Sequence, residues 1–159
     1  MGFNMCGYAA PKLDVVRVGF VGIGDRGSAA VKRMTYIDGV EITALCDIRQ
    51  GAIDGAQNIL NEANLPKAAE FTGSDLSFKT LCTSGLVDLV YVATPWEFHV
   101  PVGLAAMEGG SHTALEVSAA KTMDECWDMV ETSERTKKHC VILENVCYDF
   151  LLINVVLLP

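Results

Sequence analysis

The chain has 159 residues, a formal net charge of −8 and a sequence pI near 4.7, and half of its residues are hydrophobic. That length suits one domain, or one domain with the start of a second, and the composition excludes a disordered acidic chain. The acidic balance argues against a nucleic-acid partner, because phosphate contacts require clustered Lys and Arg.

Apolar runs of strand length alternate with segments of helical periodicity along the chain. Strands are predicted over residues 15–21, 40–46, 69–71, 86–93, 112–117 and 140–143. Helices are predicted between them, around residues 30–34, 53–63, 76–83, 94–108 and 122–130. This alternation predicts an α/β fold, with a doubly wound parallel sheet between two helical layers.

Three helices carry more detailed signals. Thr94–Glu97 and Thr122–Glu125 each have the pattern of a capping box at a helix start. In two helices, apolar residues at helical spacing predict the buried face. These residues are Ile53, Ala56, Leu60 and Ala63 in one helix, and Met123, Cys126, Trp127 and Val130 in the other.

The first residues and the cysteines indicate a cytoplasmic protein. Residues 1–11 lack the basic start and long apolar run of a signal peptide. The most apolar stretch, residues 150–158, is far shorter than the about 20 residues of a membrane-spanning helix. The six cysteines show no CxxC pair and no histidine at metal-ligand spacing, so we expect reduced, buried thiols and no metal site.

A glycine hexapeptide, Gly22 to Gly27, follows the first predicted strand with the spacing G-x-G-x-x-G. Gly22 allows the tight turn, and Gly24 lets the backbone approach a pyrophosphate. Gly27 lets the following helix pack closely on the strand. Because the motif leaves a strand and opens a helix, it predicts a dinucleotide-binding turn with phosphates at the helix N-terminus.

Asp47 ends the second strand, 20 residues after Gly27. A carboxylate there hydrogen-bonds the adenosine ribose in dinucleotide-binding folds, whereas the alternative is a cap for the helix near Arg49. The acid favours NAD over NADP, although Arg49 could meet a 2′-phosphate or lie over the adenine. A methyltransferase that binds S-adenosylmethionine is a less favoured interpretation of the same pattern.

Polar residues also follow the remaining strands. Thr94 and the segment Trp96-Glu97-Phe98-His99 could line a nicotinamide or a sugar; alternatively, Trp96 packs in the core and His99 lies on an ordinary helix. Glu116 closes the next strand. Because burial of an unpaired carboxylate is costly, a carboxylate at this position indicates a site residue rather than a core residue. Asn145 follows the last strand, as a ligand of cofactor or substrate or as a turn residue.

The sequence resembles the N-terminal domain of the glucose–fructose oxidoreductase and inositol dehydrogenase family (Gfo/Idh/MocA). Within that family it is most similar to glycoside hydrolase family 109, the NAD-dependent α-N-acetylgalactosaminidases. The similarity spans about residues 16–149 and rests on the first strand with its glycine turn and on five further segments. These are A-L-C-D-I-R at 44–49, D-L-V-Y-V-A-T at 88–94, W-E-F-H at 96–99, E-V at 116–117 and E-N-V-C-Y-D at 144–149.

The resemblance implies roles for individual residues around NAD. Asp25 and Arg26 would contact the cofactor at the glycine turn, and Asp47 would hold the adenosine ribose. The segment from Trp96 to His99 would bound the nicotinamide half of the dinucleotide.

Glu116 and Val117 would lie beneath the nicotinamide ribose and ring, with Asn145 completing that wall. The family commonly has Lys-Pro after this glutamate, whereas this chain has Val117-Ser118. That departure fits the glycosidase branch better than a sugar dehydrogenase. No catalytic residue is assigned, and His99 is retained only as a candidate.

The resemblance also implies an activity for a whole protein of this kind. Transient oxidation of the sugar C3 hydroxyl would acidify the C2 proton, so that elimination, hydration and re-reduction hydrolyse the glycoside without paired carboxylates. The alternatives are an NAD-dependent sugar or cyclitol dehydrogenase and a non-catalytic dinucleotide-binding module.

The same resemblance divides the chain into three parts. Residues 1–14 are expected to be an N-terminal extension and residues 15–149 the dinucleotide-binding domain. Residues 150–159 form an apolar tail where a second, carbohydrate-binding domain would begin. We therefore expect a truncated or interrupted gene product, or a fragment, that is inactive alone and forms homo-oligomers through apolar surface.

Overall fold

The structure, a computed structural model, describes residues 10–144. The strands are β1 (Val16–Val21), β2 (Val40–Cys46), β3 (Ala69–Phe71), β4 (Leu89–Val92), β5 (His112–Leu115) and β6 (Cys140–Ile142). The helices are α1 (Asp25–Met34), α2 (Gln50–Glu62), α3 (Ser77–Thr83), α4 (Trp96–Glu108) and α5 (Met123–Thr136). Strand and helix alternate throughout, as the sequence pattern predicts.

The strands form one sheet in the order β3-β2-β1-β4-β5-β6, and all neighbouring pairs are parallel. Val21 at the end of β1 pairs with Cys46 on one side and with Val92 on the other. The chain order reverses between β1 and β4, which is where ligands bind in open α/β sheets. The predicted doubly wound parallel sheet is confirmed.

Two apolar cores lie on the two faces of the sheet. Phe20 and Leu45 point into the core under α1 and α2, whereas Val90 and Val92 point into the core under α3, α4 and α5. Because helices cover both faces of the sheet, the strand sequences are almost entirely apolar and do not alternate between apolar and polar residues. Ala63, predicted to be buried, is instead the exposed C-terminal cap of α2.

Helix α5 begins with the predicted capping box. Thr122 Oγ1 accepts a hydrogen bond from Glu125 N at 3.2 Å, and Glu125 Oε2 accepts one from Thr122 N at 3.0 Å. The predicted buried face is wrong, however. All four residues predicted to be buried are exposed: Met123 (70%), Trp127 (59%), Val130 (47%) and Cys126.

The buried face of α5 instead carries Met129, Thr132 and Ser133. Its docking position follows from Gly103 on α4, where a Cβ would lie 3.0 Å from Met129 Cε. The missing side chain leaves room for the thioether, so α5 packs through Met129. The spacing of residues shows which of them share one face of a helix, but the surface that packs against the helix determines which face is buried.

The cysteines of the described region are free thiols. Cys46 and Cys82 are buried, and burial raises the pKa of each to about 12, so both stay protonated and unreactive. Cys126 is exposed, contrary to the expectation of burial, and Cys6 and Cys147 lie outside the described residues. Between residues 10 and 144, no cluster of His, Cys, Asp and Glu could hold a metal ion. Over that same range, no helix has both the length and the apolar character needed to cross a membrane.

A histidine pair lies at the amino end of the sheet, opposite the predicted site. The rings of His112 and His139 stack with centroids 5.0 Å apart, and His139 N donates to His112 Nδ1 at 2.9 Å. Burial, together with nearby Lys138 and His139, lowers the pKa of His112 below its ordinary 6.5. The neutral ring is therefore the form that anchors the start of β6.

We expect the stability of the fold to decrease as the pH falls below about 6.5. As the pH falls, His112 binds a proton in the unfolded chain before it does so in the folded chain, so lowering the pH from 6.5 toward the folded pKa favours unfolding. Above about 6.5 the ring is neutral in both states, and its contribution to the free energy of unfolding is fully present. Urea unfolding between neutral and mildly acidic pH measures this slope. His112→Gln, which keeps an acceptor but cannot titrate, should flatten it; an unchanged slope would contradict the assignment.

Candidate functional site

The turn after β1 is built so closely that two of its glycines admit no side chain. Gly22 has a φ of +85°, and a Cβ there would lie 2.6 Å from Ala93 O. A Cβ on Gly27 would lie 2.0 Å from Gly22 O. The turn thus packs directly against the residues that follow β4, which places the start of α1 at the switch point of the sheet.

Gly24 differs from these two because the space around it is open. A Cβ there would meet nothing closer than Arg49 Nη2, at 3.9 Å. Gly24 is also the N-cap of α1 and provides no capping side chain, so the first N–H groups of the helix have no side-chain acceptor there. An uncapped helix start beside open space is suited to an anion such as a pyrophosphate.

Asp47 ties the end of β2 to the glycine turn. Its buried carboxylate accepts hydrogen bonds from Ile23 N at 2.7 Å through Oδ2 and from Arg49 N at 2.9 Å through Oδ1. The Arg49 guanidinium Nε lies 3.5 Å from the same Oδ1. Asp47 therefore organises the turn before α2 and also borders the cavity described next. The alternative that Asp47 caps α2 is wrong, because the N-cap of that helix is Arg49 and no side chain caps it.

A cavity of about 510 Å³ opens beside the glycine turn, between the ends of β1, β2 and β4. Four residues predicted from the sequence line it: Gly22, Asp47, Thr94 and Phe98. Further walls come from residues 73–75 after β3 and from Ile48, Phe78, Pro95 and Val102, which sequence reasoning missed. Residues 73–75 follow a strand at the same edge, so the strand-end rule could have found them. The cavity has the size and apolar lining of a cofactor site.

Thr94 does not cap α4, so that predicted capping box is wrong. The helix begins at Trp96, its N-cap is Pro95, and no side chain caps it. Thr94 Oγ1 is buried without a hydrogen-bond partner, the sole side-chain oxygen or nitrogen of this kind in residues 10–144. A buried hydroxyl without a partner is costly unless a ligand supplies the bond, and this one belongs to a residue lining the cavity.

The first turn of α4 divides the predicted W-E-F-H segment. Trp96 and Glu97 are exposed, so Trp96 is not a core residue, whereas Phe98 faces the cavity. His99 is buried, with Nε2 2.9 Å from Thr94 O and Nδ1 2.6 Å from Ser118 O. Because both ring nitrogens face backbone carbonyls, this geometry suits a residue that holds the ends of β4 and β5 together.

Glu116 is 6% exposed and is paired. Its Oε1 accepts hydrogen bonds from Arg26 Nε at 2.8 Å and from the Tyr91 hydroxyl. Burial alone would raise the pKa of Glu116, but the bonds from Arg26 and Tyr91 outweigh it, and the net pKa is lowered. Val117 beside it is exposed, Asp25 is exposed at the start of α1, and Asn145 lies outside the described residues.

The carboxyl edge of the sheet thus combines the groups that a dinucleotide needs. It offers an uncapped helix start at Gly24, a buried acid at Asp47 and an unpartnered hydroxyl at Thr94. Residues 16–144 match the sequence model of the Gfo/Idh/MocA family, described as an oxidoreductase family with an NAD-binding Rossmann fold. The chain belongs to this family. The predicted cofactor, NAD, is confirmed by the match.

The curated relatives include proteins of glycoside hydrolase family 109. The chain is 52% identical over 147 residues to Glycosyl hydrolase family 109 protein 1 of Bacteroides fragilis, covering 92% of this chain and 32% of that protein. It is 44% identical over 158 residues to the family 109 protein of Shewanella baltica, covering 98% and 34%. The chain therefore spans about a third of the length of these relatives.

Solved structures share the fold at low sequence identity. The WlbA dehydrogenase of Chromobacterium violaceum, in complex with NADH and UDP-GlcNAcA, superposes with a TM-score of 0.76 at 20% identity, covering 91% of this chain and 39% of that one. Scyllo-inositol dehydrogenase of Lactobacillus casei, with bound NAD(H) and scyllo-inositol, gives 0.73 at 16% identity, covering 86% and 38%. These likenesses confirm the Rossmann fold.

Proposed function

We propose that this Gfo/Idh/MocA domain binds one NAD across the carboxyl edge of its sheet, with the pyrophosphate over Gly24. The observation that carries this placement is the open space at Gly24 between two glycines that admit no side chain. The uncapped start of α1 directs N–H groups toward the same space. Gly22 and Gly27 hold the turn against the sheet, so that the backbone itself provides the phosphate site.

The adenosine half occupies the 510 Å³ cavity in this proposal. Asp47 accepts hydrogen bonds from the ribose hydroxyls through the capacity that Ile23 N and Arg49 N leave unused. The adenine packs against the apolar walls that Phe78 and Phe98 contribute. The acid at the ribose also supports the preference for NAD over NADP.

The nicotinamide half lies toward β5, where Val117 presents an exposed apolar side chain next to Glu116. When bound, NAD supplies a hydride acceptor, and the protein supplies orientation and electrostatics. Trp96, Glu97, His99 and Asn145 are proposed to bound this half, with His99 acting through the backbone it holds.

For the whole protein we propose NAD-dependent glycoside hydrolysis through transient oxidation at the sugar C3. The 52% identity to a protein named as a family 109 glycosyl hydrolase supports this activity. Val117-Ser118, in place of the usual Lys-Pro, supports it over a simple sugar dehydrogenase. Carbohydrate binding is proposed to require the part of the relatives' length that this chain does not span.

Calorimetric titration of the chain with NAD and NADP tests the binding proposal. We expect one saturable NAD site and weaker NADP binding; a chain that binds no NAD would overturn the proposal. The activity is tested on a protein of the relatives' full length with a chromogenic α-N-acetylgalactosaminide. Product release without net NADH supports the glycosidase, and net NADH from a free sugar would identify a dehydrogenase instead. The chain alone should give no turnover.

Homo-oligomers are proposed to form through the exposed apolar stripe of α5. Its largest side chain, Trp127, is bordered on one side by three acids: Asp124, Asp128 and Glu131. These carboxylates repel a second copy, so association should strengthen as salt screens them. Trp127→Ala should weaken it roughly tenfold or more in sedimentation velocity. Tyr36→Ala, which removes an exposed aromatic in the turn after α1, is the matched control; a monomeric profile in high salt would contradict the proposal.

A further inference from the structure

Three side chains from three separate elements meet beside the glycine turn. Arg26 comes from the first turn of α1, Tyr91 from β4, and Glu116 from the end of β5. The Glu116 carboxylate accepts from Arg26 Nε at 2.8 Å and from the Tyr91 hydroxyl. These groups are 90 and 25 residues from Glu116 along the chain, so the contact is purely tertiary.

The cluster is anchored from the core outward. The Tyr91 ring stacks on Phe20 with centroids 5.1 Å apart, and both rings are buried. The Tyr91 hydroxyl therefore has a fixed position from which it holds the Glu116 carboxylate. A charge-assisted bond then extends from that buried carboxylate to the Arg26 guanidinium, whose side chain is 47% exposed.

Arg26 is the second residue of α1, the helix whose first N–H groups face the proposed pyrophosphate position. That helix start lacks a capping side chain, so its own sequence provides no local anchor there. The bond from Glu116 supplies one from across the switch point. The structure thus shows Arg26 and Glu116 in contact with one another, whereas the resemblance implies that both contact the cofactor.

We propose that Glu116 is a positioning residue that, with Tyr91, holds Arg26 and thereby sets the phosphate-binding first turn of α1. The inference rests on the proposed NAD site and names a residue on which its phosphate half depends. The opposing model has Glu116 contact the nicotinamide ribose directly. ADP separates the two, because it carries the diphosphate and lacks that ribose.

The test compares adenosine, ADP and NAD binding to the wild-type chain and to Glu116→Gln by calorimetry. The amide oxygen still accepts from Tyr91, but the charge that holds Arg26 is gone. We expect ADP and NAD affinity to fall by the same factor, about tenfold, with adenosine affinity unchanged. A loss confined to NAD, or no loss at all, would overturn the proposal.

Two further variants protect this experiment from a trivial loss of folding. Arg26→Gln should reproduce the equal loss for ADP and NAD from the other side of the pair, and a normal ADP affinity in that variant would also overturn the proposal. Arg17→Gln is the matched control, because it breaks an ion pair of 2.7 Å with Asp88 at the opposite end of the sheet. It should lower stability and leave all three affinities unchanged. A wild-type chain that binds no NAD would instead refute the proposed function.

Discussion

Gly27→Ala is expected to destabilise the fold by about 3 kcal/mol and to abolish measurable NAD binding. The new Cβ would lie 2.0 Å from Gly22 O, a backbone atom of a turn that itself packs on the residues after β4. Neither side can move without separating α1 from the sheet. Urea unfolding followed by calorimetry of the folded fraction measures both effects, and a stable variant with normal affinity would contradict the described turn.

Gly24→Ala is the matched control within the same motif. Its Cβ meets nothing closer than 3.9 Å, so the stability loss should not exceed the about 1 kcal/mol by which alanine is a poorer N-cap than glycine. The methyl group nonetheless occupies the space assigned to the pyrophosphate, and we expect NAD affinity to fall about tenfold or more. Unchanged affinity in this variant would show that the pyrophosphate does not approach Gly24.

Asp47→Ala is expected to lower NAD affinity about 100-fold, because it removes a charged acceptor of two ribose hydroxyls. It also leaves Ile23 N without its 2.7 Å bond, which should cost about 2 kcal/mol of stability. The loss for NADP should be smaller, since the acid no longer repels a 2′-phosphate. Calorimetry with both cofactors gives the ratio directly.

The control for Asp47 is Asp88→Asn, a carboxylate at the amino end of the sheet. Asp88 accepts from Arg17 at 2.7 Å, and this partner lowers the pKa of Asp88. The variant should destabilise the fold to a similar extent without changing either affinity. Equal cofactor losses in the two variants would mean that Asp47 acts only through folding.

The parts of the site predictable from the sequence are those encoded within a short stretch of chain. β1, the glycine turn and α1 follow one another directly, and Asp47 follows β2, a strand that pairs in parallel with β1. Each feature depends on local spacing and on the rule that parallel strands end at one edge. The fold class and the placement of Asp47 and Thr94 beside one cavity could therefore be predicted.

The features that were missed depend on what packs opposite a residue. The face of α5 was decided by Gly103 on α4, because the helix's own apolar spacing does not say which stripe is covered. The cap of α4 was decided by Pro95, which precedes the helix with a ψ of 149° and leaves Thr94 Oγ1 to the cavity. A buried Glu116 was foreseeable, whereas its bond to Arg26 joins residues 90 apart.

Backbone amide chemical-shift mapping of the chain during NAD titration would locate the NAD site on the sheet. We expect saturable shifts at Ile23, Gly24 and Asp25 in the turn, and at Thr94 beside the cavity. We expect no shifts at His112 and His139, at the opposite end of the sheet. Shifts absent from the glycine turn, or confined to the opposite end, would contradict an NAD site at this edge.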